Sequence, residues 1–189
     1  MNRAFLLSAA FVVAAPMAMA AEPHVAMQAY VDNEIMAWAH DALIVDAIAA
    51  QNEMTAGYDA AQIDTLDQTW RADVGTGSDM VDAVLMNAAS DFLRSRIDAS
   101  GGMITEVFIM DAQGLNVAAS GATSDYWQGD EAKFQETYPK GAGVAHFGEI
   151  EFDESSQSYQ AQISITITDP SSGTPIGAMT VGIDAEALM

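Results

Sequence analysis

"ITEVFIMDAQGLNVAAS", residues 104–120, is where the chain changes its hydrophobic period, and its reading decides the fold. Before it, apolar residues recur every three or four positions. From Ile104 onward the period is two, the signature of strands. The stretch reads as a strand, a turn at "DAQG" and a second strand. Three further strands are expected over Val144 to Phe152, Tyr159 to Thr168 and Ile176 to Asp184, joined by "DESSQ" and "DPSSGTP". The fourth is the cleanest: Tyr159, Ala161, Ile163, Ile165 and Ile167 point one way, and Gln160, Gln162, Ser164, Thr166 and Thr168 the other.

Upstream, from Pro23 to Ala99, the periodicity is helical. Val31, Ile35, Trp38, Ala42, Val45 and Ala49 form one apolar stripe of about five turns, which predicts a long leading helix that ends near Gly57. A shorter helix is expected over Ala60 to Ala72, with Ile63, Leu66 and Trp70 on one side. "GTGSDM" breaks the pattern, Ser78 is a candidate N-cap, and a third helix runs from there to Ala99 before "SGG". Arg94 and Arg96 fall in its last turn, where cations suit the helix dipole. The sum is an α+β fold: N-terminal helices over about 23–100, then a five-stranded antiparallel sheet over about 104–189, with the long helix against one face.

The N-terminus carries a targeting pattern. Arg3 is the positive region, "AFLLSAAFVVAA" the apolar region, and "AMA" at Ala18 to Ala20 a small-residue cleavage site, so residues 1–20 read as a secretory signal and 21–189 as the mature domain. An uncleaved anchor is the rival, because Ala4 to Ala21 is uncharged. Export to the periplasm is the expectation, and no second stretch in the mature chain is apolar enough to span a membrane. Without Arg3, five bases stand against 27 acids, a charge of −22. That argues against nucleic acid and anionic lipid as partners, since both need basic patches. The chain has no cysteine, which excludes disulfides, thiol catalysis and thiolate metal sites.

Four features together resemble a Cache domain, the extracytoplasmic relative of the PAS fold: the long leading helix, "VFIMDAQGLNVAAS" with its Asp-x-x-Gly turn, the connection "DYWQGDEAKF", and the closing "ISITITDPSSGTPIGAMTVGIDAEAL". The resemblance implies a sensory domain for a small molecule. It implies that the connection after the second strand folds over the sheet and walls a pocket, with Tyr126 and Trp127 as its aromatic part. It also implies a ligand contact at Asp184, where amino-acid-binding members use an acid to hold an ammonium group. Asp130 is a further polar candidate and Trp70 an aromatic one. The match departs from those members at one point. Their wall aromatics have an arginine neighbour to clamp a carboxylate, whereas here the neighbours are Asp125 and Gln128 and the nearest cation is Lys133. A cationic or neutral ligand therefore fits better than an α-amino acid. The bland reading of Tyr126 and Trp127 is a lid packed for stability, and that of Lys133 a surface ion pair with Asp130.

Catalysis has no support. The chain lacks a Gly-x-Ser-x-Gly elbow, and "GTGSDM" and "GAGVAH" fail the full dinucleotide pattern. His24, His40 and His146 show no zinc-type spacing, so neither an enzyme nor a cofactor is expected. The chain stops just after the last strand, with no kinase, methyl-accepting or cyclase segment, which predicts an exported module that presents or buffers its ligand or docks on a membrane receptor or sensor kinase. The alternatives are a calcium-binding protein, for which "DESSQSYQ" is the candidate loop although it lacks the EF-hand glycine and glutamate, and a structural or interaction protein on the same core without a pocket.

Overall fold

A computed structural model describes residues 22–153 and 158–188. The leader at 1–20 and the core of the "DESSQ" loop lie outside the described residues.

The helical half contains more breaks than the period predicts. The leading stripe is carried by α1 (Glu22–Asn33), a single 3-10 turn (Ile35–Ala37) and α2 (Ala42–Thr55). Asp41 ends the continuity: its carboxylate accepts from Leu43 N at 2.9 Å and starts α2 as an N-cap. The apolar stripe survives the break, since Met27, Val31, Ile35, Ile44 and Ile48 are all buried in one cluster. Next comes α3 (Ala60–Asp73), with a reciprocal capping box between Asp59 and Gln62. Ser78 caps α4 (Asp79–Leu85), as expected. The single third helix is in fact two, because Asn87 accepts from Ser90 N and starts α5 (Ala88–Ala99). Arg94 reaches back across that junction and donates to Leu85 O at 2.9 Å, which neutralises the exposed end of α4.

The second half is one antiparallel sheet: β1 (Ile104–Met110), β2 (Asn116–Ala119), β3 (Ala145–Phe147), β4 (Glu151–Asp153), β5 (Ser158–Thr168) and β6 (Pro175–Asp184). The order is β2-β1-β6-β5-β3, with β4 also paired to β5. Among the described residues, six strands thus fill five lanes. The expected strand over 144–152 is split: β3 pairs with Ile163 to Ile165, β4 with Ser158 to Gln160, and Gly148 bridges them by donating to Gln162 O at 2.8 Å. A four-residue helix, α6 (Ala132–Gln135), interrupts the connection between β2 and β3.

Each face of the sheet has its own core. On one, Val107, Ile109, Ile163, Ile165, Met179 and Val181 meet α1, α2 and α5. On the other, Phe108, Met110, Leu115 and Ala178 meet Trp70 of α3, Val81 and Val84 of α4, Tyr126 and Phe134. The alternation in β5 aims its isoleucines at the first core. Its polar partners Gln160, Gln162 and Ser164 therefore face the second side, where no helix from the N-terminal half covers them.

Candidate functional site

The turn at "DAQG" is built around Asp111, whose side chain is fully buried. One carboxylate oxygen accepts from Gln113 N and Leu115 N, both at 2.9 Å. The other lies 2.8 Å from Thr55 Oγ1 and 3.1 Å from Gln51 Nε2. Gly114 completes the turn at φ +80, and a Cβ there would stand 2.6 Å from Gly129 Cα. The "DAQG" turn and the "YWQGD" segment therefore touch backbone to backbone. Gln128 N donates to Gly114 O at 2.8 Å, and the Trp127 indole donates to Gln113 O at 2.9 Å.

Asp67 of α3 holds the aromatic pair from the other side. One oxygen of this nearly buried carboxylate accepts from Tyr126 N at 2.9 Å and Trp127 N at 3.0 Å, while the second pairs with Arg71 at 2.7 Å. Arg71 also bridges to Asp125 at 2.9 Å. Tyr126 turns inward and stacks on the fully buried Trp70, with ring centroids 5.7 Å apart, and Trp70 donates its indole proton to Thr123 O at 2.9 Å. Burial, with the Asp111 and Tyr58 charges adding, pushes the Tyr126 phenol well above the usual tyrosine range. Tyr126 and Trp70 are thus partners within a core. The two large aromatics of the connection have separate roles, with only Trp127 half-exposed.

Trp127 and Asp130 do come together. They line a cleft of about 460 Å³ with Tyr58, Asp67, Arg71 and Gln113. Asp184 is not part of it. It ends β6 six residues beyond Ala178, the residue paired with Met110 beside the Asp111 turn, and six residues of strand span about 20 Å. The β6 alternation nevertheless puts Asp184 on the same face as Thr180 and Gly182, opposite Gln160. Its partner Gln160 lines a different depression.

That depression lies on the polar face of the sheet. Glu106, Gln160, Gln162 and His146 form its floor, α6 with Glu131 and Lys133 overhangs it, and Gly148, Glu149, Glu151 and Phe152 form the far wall, enclosing about 410 Å³. Gly182 opens the floor. A Cβ there would come within 2.6 Å of Glu106 Cγ and 2.7 Å of Thr105 Oγ1, so only glycine lets Glu106 and Gln160 lean across β6. The floor is held in place by bonds from Gln162 Nε2 to Glu106 at 3.0 Å and from Thr105 Oγ1 to Gln160 Oε1 at 2.8 Å. Lys133 is the clamp of the overhang. Its ammonium sits 5.4 Å over the Phe108 ring and 3.0 Å from Glu131. The ion pair expected with Asp130 is made with Glu131 instead, because the α6 turn carries Lys133 back toward the sheet.

Sequence reasoning places Glu106, Gln160, Gln162 and His146 correctly on strands but gives them no role. The available signal was the run of glutamines on the outer side of β5, a polar face too regular for a strand that also needed cover. Four carboxylates line the pocket against Lys133 and the His146 imidazole. Among the described residues, no group of three or more His, Asp or Glu side chains converges as a metal site, and no helix is long and apolar enough to cross a membrane.

No protein-family model and no curated protein matches the chain. Among solved structures it is similar to the ligand-binding domain of the Campylobacter jejuni chemoreceptor Tlp3 in complex with 4-methylisoleucine, at 13% identity and a TM-score of 0.42 over 93% of this chain. It is also similar to the sensor domain of the V. cholerae histidine kinase DctB, at 13% identity and a TM-score of 0.40 over 86% of this chain. A third is an extracellular ligand binding receptor from Desulfohalobium retbaense, at 12% identity and a TM-score of 0.39 over 80%. The chain spans 65%, 56% and 26% of their respective lengths. The structural neighbours are ligand-binding or sensor domains of bacterial receptors and a histidine kinase.

Proposed function

We propose that the protein is an exported sensory module that binds a small cationic molecule, such as a di- or polyamine, in the pocket beneath α6. The observation that carries this reading is the pocket's charge. Glu106, Glu131, Glu149 and Glu151 line a cavity of about 410 Å³ whose one lysine is already paired with Glu131. Concave sites of this size suit small ligands, and a few fixed polar groups set the ligand's orientation. A cation entering here gains carboxylate partners, with amide oxygens of Gln160 and Gln162 beside them. An anionic ligand would meet like charges at every wall.

Trp127 and Asp130 are candidate contacts in the separate cleft they line, and Asp184, paired with Gln160, is a candidate contact at the pocket. Tyr126 and Trp70 belong to the same buried cluster as Phe134 of α6. Cleavage near Ala21, a periplasmic location, and a membrane receptor or sensor kinase as the reporting partner follow from the leader pattern and the family resemblance.

Calorimetric titration of the chain from Ala21 onward with spermidine, putrescine and glutarate tests it. Saturable binding of an amine, weakened about tenfold or more by Glu106→Gln, is the expected result, because a hydrogen bond to a charged group contributes roughly 1.5–3 kcal/mol. Equal weak heats for all three compounds, unchanged in Glu106→Gln, would overturn it.

A further inference from the structure

The helical side carries a second concavity that the ligand reading does not use. α2 has two apolar stripes. Ile44, Val45 and Ile48 face the sheet and are buried, but Leu43, Ala47, Ala50 and Met54 follow one another at steps of four, three and four residues on the outer side. Leu43 is 44% and Met54 66% exposed. Across from them α4 presents Met80 and Ala83. Both helices rest on β2 and leave a groove of about 500 Å³ between them, floored by Val117 and Tyr126. The small side chains at positions 47, 50 and 83 make it deep, and the flexible methionines at its ends adapt to a guest side chain.

Charge identifies the guest. Asp46 and Glu53, seven residues apart, share the outer flank of the α2 stripe. Asp79 and Asp82 lie on the outer flank of α4, and all four are exposed. Among the described residues, no lysine or arginine lines the groove. An apolar trough between two acidic rails is complementary to an amphipathic helix with a leucine-type face and Lys or Arg on both sides of it. The α2 stripe runs from Leu43 to Met54, twelve residues and about 16 Å, which matches roughly three turns of such a helix. A second copy of this chain is a poor occupant, since it would set acidic rail against acidic rail. An anionic bilayer is repelled for the same reason.

We infer that the groove between α2 and α4 docks a basic amphipathic helix of a partner protein. The site is independent of the pocket beneath α6, so either can fail without the other.

Fluorescence anisotropy with a dye-labelled leucine–lysine helical peptide of about four turns tests the inference, with two control peptides. One has the same composition in scrambled order, and the other has glutamate in place of lysine. Saturable one-to-one binding of the helical peptide is expected, with the scrambled peptide weaker by about tenfold or more and the acidic one silent. Ala50→Arg, at an exposed position, should abolish binding while leaving the far-ultraviolet circular dichroism unchanged. Asp46→Lys with Glu53→Lys should weaken binding, and Glu106→Gln should leave it intact. Equal binding of ordered and scrambled peptides, or undiminished binding to a folded Ala50→Arg, would reduce the effect to net charge and overturn the inference. So would the absence of saturable binding to wild type. Concentration-dependent self-association abolished by Ala50→Arg would assign the groove to a second copy and overturn it equally.

Discussion

Asp67→Ala should unfasten the connection that carries Tyr126 and Trp127, and the structure sets the size of the effect. The Asp67 carboxylate is nearly buried and accepts from two consecutive backbone amides at 2.9 and 3.0 Å. Hydrogen bonds to an ionised group contribute about 1.5–3 kcal/mol each, and their removal leaves the two N–H groups unpaired in a buried place. The bond to Arg71 adds at most about 1 kcal/mol, because the arginine is 58% exposed. The expected loss is therefore about 3–7 kcal/mol, or roughly 6 °C or more in melting temperature for a chain of this size. Asp67→Asn keeps an oxygen where both amides converge but gives up the ion pair and the charge on those two bonds, for a loss about 2 kcal/mol smaller than that of the Ala variant. Calorimetric melting of both variants, with tryptophan fluorescence as a report on Trp127, makes the comparison. If the Ala and Asn variants melt within about 2 °C of each other, the amide cradle contributes nothing and the account of the aromatic segment is wrong.

Gly182→Ala should cost about 1–3 kcal/mol in urea unfolding, as overpacking does, and should displace Glu106 and Gln160 enough to weaken amine binding in calorimetry. Tyr126 has its phenol raised by burial, so its contribution to stability is complete below the unfolded value near 10 and is lost as pH rises above it. Melting temperature should fall above pH 10, and Tyr126→Phe should flatten that fall. His40, half-buried against Thr168, has a pKa lowered from 6.5 by burial. Its neutral form is the stable one, so stability should decline as pH drops below 6.5, and His40→Gln should reduce the decline between that point and the carboxylate range. With 27 acids against six bases, melting temperature should rise from low to moderate sodium chloride and equally in potassium chloride, as screening requires. A large additional rise with calcium, reversed by chelator, would contradict that account.

The elements themselves were legible in the order of residues. β5 is a strand because apolar and polar side chains alternate along it, and the "DAQG" turn needs an acid to accept the turn amides and a glycine at positive φ. The helix breaks too have local causes, since Asp41 and Asn87 are N-caps, but the apolar stripe continues through the break and its period alone does not show one. The site was less legible. Tyr126 and Trp127 are adjacent in sequence, yet one is buried against Trp70 and the other half-exposed at a cleft, because Asp67, some sixty residues earlier, holds the backbone between them. Composition states that the chain is acidic but not which four of its 27 acids converge. Glu106, Glu131, Glu149 and Glu151 line one pocket only because β6 pairs with β1 on one side and β5 on the other, and because Lys133 anchors α6 over Phe108. Local side-chain chemistry decides helix, strand and turn at short range, whereas a pocket depends on which distant segments are folded face to face.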